Sequence, residues 1–218
     1  MAISPDFSIE SEYSGIIVAI DEVGRGPLAG PVMAAAAILD ASTIPHGIND
    51  SKKLSLKKRD ALFDTLMQHC RIEIGVADEK EIEALNILGA TKLAMTRAYD
   101  KLGVDATIAL IDGNQPPKLS CPTRCIVKGD SISLSIAAAS IAAKVTRDRL
   151  MAELAKTYTG FGWERNAGYG TKEHLSAMQQ YGITPHHRKG FAPVRDLLAA
   201  GAPAYAVKTD RGMQYGQR

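Results

Sequence analysis

Four acidic side chains stand where apolar segments end. Asp21 and Glu22 follow Gly15-Ile16-Ile17-Val18-Ala19-Ile20, Asp112 follows Thr107-Ile108-Ala109-Leu110-Ile111, and Asp130 precedes a long segment rich in alanine and serine. Carboxylates gathered at the end of a buried sheet lose hydration and repel one another. A divalent cation, which prefers hard oxygen ligands, relieves that repulsion. Taken singly, each acid reads first as a turn residue or a helix cap. The segment after Glu22 favours a collective role. Val23-Gly24-Arg25-Gly26-Pro27-Leu28-Ala29-Gly30-Pro31 is a basic turn whose glycines expose backbone. Carboxylates beside such a turn point to metal-assisted chemistry on a phosphodiester.

The acids can share a site only if the chain brings them together. Residues 15–21 read as a buried strand, and neighbouring side chains of a strand point to opposite faces. Asp21 and Glu22 therefore serve one site only if the strand ends there, a bend that Gly24 and Gly26 permit. Residues 31–39 return as a second strand, although their alanine run also suits a helix. Ser55 caps a helix reaching about His69, residues 71–77 alternate as a third strand, and residues 87–102 form a helix closed by Gly103. Strands follow at 107–111 and 123–127. Asp130 or Ser131 caps a helix to about Tyr158, whose small residues let it lie close to the sheet. Residues 160–170 read as a loop, and 172–181 and 193–200 as short helices. A meander followed by strand–helix alternation indicates an α/β domain with a mixed sheet flanked by helices over residues 1–158. Residues 159–200 form a C-terminal loop-and-helix extension, and 201–218 a loose tail.

Composition bounds the class of protein. The chain has 218 residues, 45% of them hydrophobic, which suits one domain with a real core. No basic stretch precedes an apolar one at the N-terminus, so no signal peptide is expected. The longest weakly polar run, 132–143, falls short of the roughly 20 residues that span a bilayer. A cytoplasmic, soluble protein is expected. Three cysteines, Cys70, Cys121 and Cys125, fit reduced thiols better than a disulfide framework. A zinc site built on Cys121 and Cys125 lacks two further ligands at matching spacing. Net charge is +2, but residues 1–100 carry 10 Lys/Arg against 15 Asp/Glu, and residues 101–218 carry 16 against 9. A positive C-terminal half beside an acidic site is what a binder of phosphate backbone needs.

Other residues carry competing readings. The spacing Gly24-x-Gly26-x-x-x-Gly30 is one residue too long for a dinucleotide fingerprint, and two acids stand where a pyrophosphate would sit. Lys52 and Lys53 are either solvated or in contact with phosphate. Lys144 and Arg147, one turn apart, are a backbone-binding stripe or a polar helix face. Tyr169 lies between glycines, which suits stacking on a sugar or base as well as anchoring the loop. Asp148 rivals Asp130 as a fourth ligand. On one helix the two would stand roughly 27 Å apart at 1.5 Å per residue. Metals in a two-ion site lie about 4 Å apart, so only one can join, and Asp130 is at the end nearer the strand termini. Asp148 then pairs with Arg147, Arg149 or Lys144.

The segment Asp21-Glu22-Val23-Gly24-Arg25-Gly26-Pro27-Leu28-Ala29-Gly30-Pro31-Val32 resembles the N-terminal signature of bacterial ribonuclease HII. Further segments match in order: Asn49-Asp50-Ser51-Lys52-Lys53-Leu54-Ser55, Ile111-Asp112-Gly113-Asn114, Lys128-Gly129-Asp130, Ala137 to Asp148, and Gly168-Tyr169-Gly170-Thr171-Lys172-Glu173-His174. The resemblance implies a ribonuclease H-like mixed sheet flanked by helices, with a small C-terminal helical extension. It implies Asp21, Glu22, Asp112 and Asp130 as catalytic metal ligands for two ions, Mg²⁺ or Mn²⁺. Ribonucleotide recognition falls on Gly24, Arg25 and Gly26, phosphate contact on Lys52, and sugar stacking on Tyr169. The implied activity is endonucleolytic cutting of RNA in RNA/DNA hybrids and at single ribonucleotides embedded in duplex DNA. The cut lies on the 5′ side and leaves a 5′-phosphate, in ribonucleotide excision repair and DNA replication, by a monomer. Pro185-His186-His187-Arg188-Lys189-Gly190-Phe191 resembles the family's His-Arg-Arg-Ser-Phe, with Lys189 and Gly190 replacing Arg and Ser and so without an implied role. Its histidines read as structural hydrogen-bonders. A junction resolvase of the same fold is disfavoured by the glycine turn. A noncatalytic hybrid-binding module is disfavoured by carboxylates that would face phosphates.

Overall fold

The computed structural model of the chain describes residues 4–42, 44–49, 51, 54–209 and 212–214. Five strands form one sheet: β1 (Ile17–Val23), β2 (Val32–Ile38), β3 (Arg71–Ala77), β4 (Ile108–Asp112) and β5 (Thr123–Ile126), in the order β3-β2-β1-β4-β5. β1, β2 and β3 pair antiparallel as a meander, and β4 and β5 add in parallel. The sheet is mixed, as the alternation of elements implies.

The alanine run is strand, not helix. Ala34 and Ala36 face one layer of the core and Ala35 and Ala37 the other. A strand covered on both faces by helices gains from small side chains, and that packing overrides alanine's preference for helix. One face is covered by α2 (Glu79–Leu102), the other by α1 (Leu56–His69) and α3 (Leu134–Thr157). Alanines 137, 138, 139, 142 and 143 of α3 are fully buried, which brings its axis close to the sheet.

Ser55 caps α1 and Gly103, with φ 59°, closes α2, both as expected. Two starts differ. α2 begins at Glu79, because Asp78 and Glu81 form a capping box. The helix breaks at Asn86 (φ 57°), whose side chain accepts from the amides of Leu88 and Gly89 and restarts it. α3 is capped by Ser133 rather than by Asp130 or Ser131, which lie in a separate 3-10 turn, Gly129–Ser131. That displacement releases the Asp130 carboxylate from capping.

The C-terminal extension contains α4 (Trp163–Asn166), inside the stretch read as loop, α5 (Lys172–Tyr181) and α6 (Ala192–Ala199). They enclose an aromatic cluster around Phe161 and Trp163. Residues 201–206, read as part of a loose tail, are instead anchored: Ala204 bridges to Ile183, and Tyr205 is buried against Phe161. Short strands β6 (Val207–Thr209) and β7 (Gly212–Gln214) follow. No helix of the described residues is long and apolar enough to cross a membrane.

Close approach of α2 to β3 depends on Gly75. A Cβ there would lie 1.9 Å from the Ala94 carbonyl oxygen. Gly75→Ala is expected to destabilise the fold by about 3 kcal/mol, a fall in Tm of roughly 6–12 °C. Gly190→Ala, whose Cβ would meet nothing within 4 Å, serves as the near-neutral control in the same thermal melts.

Candidate active site

Strand pairing brings the acids together. Ile20 of β1 lies beside Ile111 of β4 in parallel register, so the next residues, Asp21 and Asp112, stand side by side. Val18, Ile20 and Ile111 pack towards α2, whereas Ala19 and Leu110 pack with Ile136 of α3. By alternation Asp21 and Asp112 take the α3 side. β1 does not end at Asp21, as the sequence pattern required, but runs on to Val23. Glu22 joins the site nonetheless, one residue past the register position of Asp112, where β4 ends. One carboxylate oxygen from each of Asp21, Glu22 and Asp112 lies within 4.8 Å of the others.

A cavity of about 150 Å³ opens on these carboxylates, lined also by Val23, Ser51, Asp130, Ser140, Lys144 and Tyr169. Asp130 is a wall of it, outside the tight trio of oxygens; Asp148 does not line it. The Gly129 amide donates to Asp112 Oδ1 at 2.6 Å, so the 3-10 turn that carries Asp130 also orients Asp112. The Glu22 amide donates to Asp21 Oδ1 at 2.7 Å. Ser140 donates to the Asp21 carboxylate, and its Oγ lies 3.0 Å from that of Ser51. Burial, then the charges of Glu22 and Asp112, holds the Asp21 carboxyl well above the usual carboxylate range. Burial raises Glu22 as well, with Arg25 opposing and Asp112 adding to the rise.

The glycine turn is held from beneath by two buried arginines. Arg147 of α3 donates to the carbonyls of Ala29, Pro31 and Ala167 at 2.8–3.0 Å. Arg188 donates to those of Gly24, Arg25, Gly30 and Pro31 at 2.6–3.1 Å. Both are essentially sealed from solvent, at 0% and 1% exposure. Burial lowers the pKa of each, Arg188 to about 9, still charged at neutral pH. Arg147 is therefore not part of a surface stripe with Lys144. Lys144 pairs with Asp148 at 2.7 Å, and Arg59 reaches the same carboxylate at 3.5 Å. Gly24 (φ +93°) is required by this clamp, since a Cβ would lie 2.3 Å from Arg147 Nε. At Gly26 a Cβ would only touch the Tyr169 ring, at 3.4 Å. Arg25 is exposed and reaches Glu22 at 3.4 Å. Tyr169 is 44% exposed. Lys52 lies outside the described residues.

Sequence reasoning missed Ser51, Ser140, Arg147 and Arg188 as parts of the site. Ser140 and Lys144, four apart in α3, share a helix face, a spacing that could have signalled Ser140. Nothing local marks an arginine as buried.

The trio offers only hard oxygen donors, with the proton affinity of Asp21 and Glu22 raised, a set that suits Mg²⁺ or Mn²⁺ rather than thiophilic metals. Asp130, which lines the same cavity, would complete it.

Comparison with known proteins agrees with this geometry. The family description ribonuclease HII matches residues 18–194. Ribonuclease HII of Paramagnetospirillum magneticum is 57% identical over 198 residues, covering 89% of this chain and 98% of its own. The ribonuclease H2 structure from Pyrococcus horikoshii OT3 superposes with a TM-score of 0.73 at 25% identity, covering 85% of this chain and 98% of that one. Bst-RNase HIII in complex with Mn²⁺ shares the fold with a TM-score of 0.68 at 21% identity, covering 86% and 70%.

A raised carboxyl pKa has a definite sign in stability. The folded state holds the Asp21 proton more tightly than the unfolded chain, so the contribution is favourable in acid and lost as pH rises through the folded pKa. Metal-free Asp21→Asn is expected to exceed wild type at neutral pH by about 1–2 kcal/mol, a rise in Tm of roughly 2–8 °C. The difference should vanish in acid. Adding Mn²⁺ should raise the Tm of wild type more than that of the variant, and calorimetry across pH with and without the ion checks both.

Proposed function

This chain belongs to the ribonuclease HII family of ribonuclease H endonucleases, and on that premise we propose that it cuts duplex DNA at single embedded ribonucleotides as well as RNA in RNA/DNA hybrids. The observation that carries this reading is one of place. Tyr169, a ring suited to a sugar, lines the same cavity as Asp21, Glu22, Asp112 and Asp130 and packs beside Gly26. Hydrolytic chemistry and inspection of a nucleotide thus share one pocket.

The carboxylates of Asp21, Glu22, Asp112 and Asp130 hold the metal and form the catalytic set. Divalent ions bound there, Mg²⁺ or Mn²⁺, would activate water and stabilise the leaving 3′-oxygen. The chain's own residues choose the bond. Backbone of the Gly24-Arg25-Gly26 turn meets the 2′-hydroxyl, the group that distinguishes RNA from DNA at one position. Arg25 reaches a neighbouring phosphate, and Tyr169 presses on the adjoining deoxyribose. The cut then falls on the 5′ side of the ribonucleotide and leaves a 5′-phosphate. Lys52 contacts the phosphate backbone. The excess of basic residues after residue 100 draws the duplex to an otherwise acidic pocket. Residues 1–158 form the catalytic unit and 159–200 the substrate-contacting extension. The protein acts as a cytoplasmic monomer in ribonucleotide excision repair and replication.

Asp112→Asn is expected to abolish cleavage of a labelled duplex carrying one ribonucleotide while leaving duplex binding intact; activity within about tenfold of wild type overturns the assignment. Tyr169→Ala removes a stacking platform worth about 1–3 kcal/mol and should weaken cutting at a lone ribonucleotide more than cutting of continuous hybrid. Gly26→Ala, which crowds that ring without disturbing the arginine clamp, should shift the same ratio. Lys52→Ala should flatten the salt dependence of duplex binding by about one unit; an unchanged slope returns Lys52 to the solvated surface.

A further inference from the structure

Behind the tyrosine loop two buried histidines meet. We infer that Thr184, His187 and His174 form a hydrogen-bond relay that positions Tyr169 against the glycine turn and thereby sets the discrimination of a lone ribonucleotide. The inference rests on the reading of Tyr169 as a sugar platform and adds the residues that aim it.

Obligate partners fix the direction of the relay. The Thr184 amide can only donate, and it meets His187 Nδ1 at 3.0 Å, so that nitrogen carries the lone pair and Nε2 the proton. His187 Nε2 lies 3.0 Å from His174 Nε2. The Trp163 indole, also only a donor, reaches His174 Nε2 at 3.1 Å, so this atom accepts. The His174 proton is then on Nδ1, which donates to the Tyr169 carbonyl at 2.9 Å. One pair of tautomers gives each of these contacts a donor and an acceptor, with the His174 Nε2 lone pair shared between Trp163 and His187. Both rings are sealed from solvent, and burial holds both neutral, His187 down to about 3.

The relay is a positioning device because of its neighbour in sequence. His187 reaches the tyrosine loop through His174, while Arg188 grips the carbonyls of Gly24, Arg25 and Gly30. Two consecutive residues of one turn therefore set the glycine turn and the tyrosine at a fixed separation. The rest of the loop is tied at other points: the Tyr169 amide donates to the Asn166 carbonyl, and the Thr171 amide shares the Tyr169 carbonyl with His174. The Gly168 carbonyl accepts from the Leu28 amide at 2.8 Å, which ties the base of the loop to the glycine turn, and His174 adds a bond at Tyr169 itself that runs through His187 to the Arg188 side.

The test is a ratio, cleavage at a lone ribonucleotide over cleavage of continuous RNA/DNA hybrid, which a change in folded fraction does not move. In His174→Gln the side-chain end still meets Trp163 and His187, but no donor faces Tyr169. In His174→Asn the amide nitrogen takes the place of Nδ1 and keeps that donor. His174→Gln is expected to lower the ratio on the order of tenfold, the scale of a stacking contact, and His174→Asn to recover most of it. In a Tyr169→Ala background His174→Gln should lower the ratio no further. Multiplying effects in the double variant, an unchanged ratio in His174→Gln, or equal losses in the Gln and Asn variants overturn the relay. If Tyr169→Ala itself leaves the ratio unchanged, the platform reading falls and the relay with it, a result distinct from a sensitive Tyr169 beside an indifferent His174.

Discussion

A guanidinium sealed from water must find oxygen for its donors, and this molecule seals two. Among the described residues Arg147 and Arg188 bond no carboxylate; they are satisfied by the backbone carbonyls of Gly24, Arg25, Ala29, Gly30, Pro31 and Ala167. Leaving any such donor unpaired in the interior costs far more than a surface contact gains. The demand therefore acts on the chain, bending residues 24–31 until their carbonyls face inward. In a trans peptide the N–H points opposite to the C=O. Carbonyls of Gly24 and Arg25 drawn towards Arg188 turn the amides of Arg25 and Gly26 away from it, at a point where both residues are exposed. The glycine turn offers donors outward because the arginines hold its acceptors inward.

A second tension sits beside it. The carboxylates at the ends of β1 and β4, Asp21 buried and Glu22 and Asp112 half-buried, repel one another, an arrangement that lowers stability without a cation. The surrounding structure over-determines it. Asp112 is fixed by the Gly129 amide, Asp21 by Ser140 and its neighbour's amide, and the sheet that carries them is covered by helices on both faces. Stability surrendered at a site and supplied by a rigid scaffold is the usual mark of a functional constellation.

Much of this was legible from local pattern. Apolar runs of strand length ended on Asp21 and Asp112, and parallel neighbours then had to place those ends together. Ser55 and Gly103 carried conventional cap chemistry, and α1 and the end of α2 agreed with it. The start of α2 was also written, in Asp78-x-x-Glu81, but the break at Asn86 divides its periodicity and hides the first turns. At the other extreme, the local pattern offered Asp130 or Ser131 as the cap of α3 and passed over Ser133, because the choice depends on a turn that satisfies Asp112. Arg147 was illegible in principle. Its neighbours Lys144 and Asp148 are half-buried and pair with each other, and a charge is assigned to solvent unless the carbonyls that receive it are known. Two of those carbonyls lie 116 and 118 residues away, in the turn before β2, and the third lies 20 residues downstream, at Ala167.

Separation along the chain has a consequence in time. The acidic cavity is assembled from residues no later than Tyr169, whereas the grip on Gly24 comes from Arg188, 164 residues downstream. A chain emerging from its amino end can pair β1 with β4 and gather Asp21, Glu22 and Asp112 well before Arg188 exists. Until then the carbonyls of Gly24 and Arg25 lack the donor that orients them. The order of synthesis thus runs from acidic pocket to discriminating turn, and the two coexist only once Arg188 has been added.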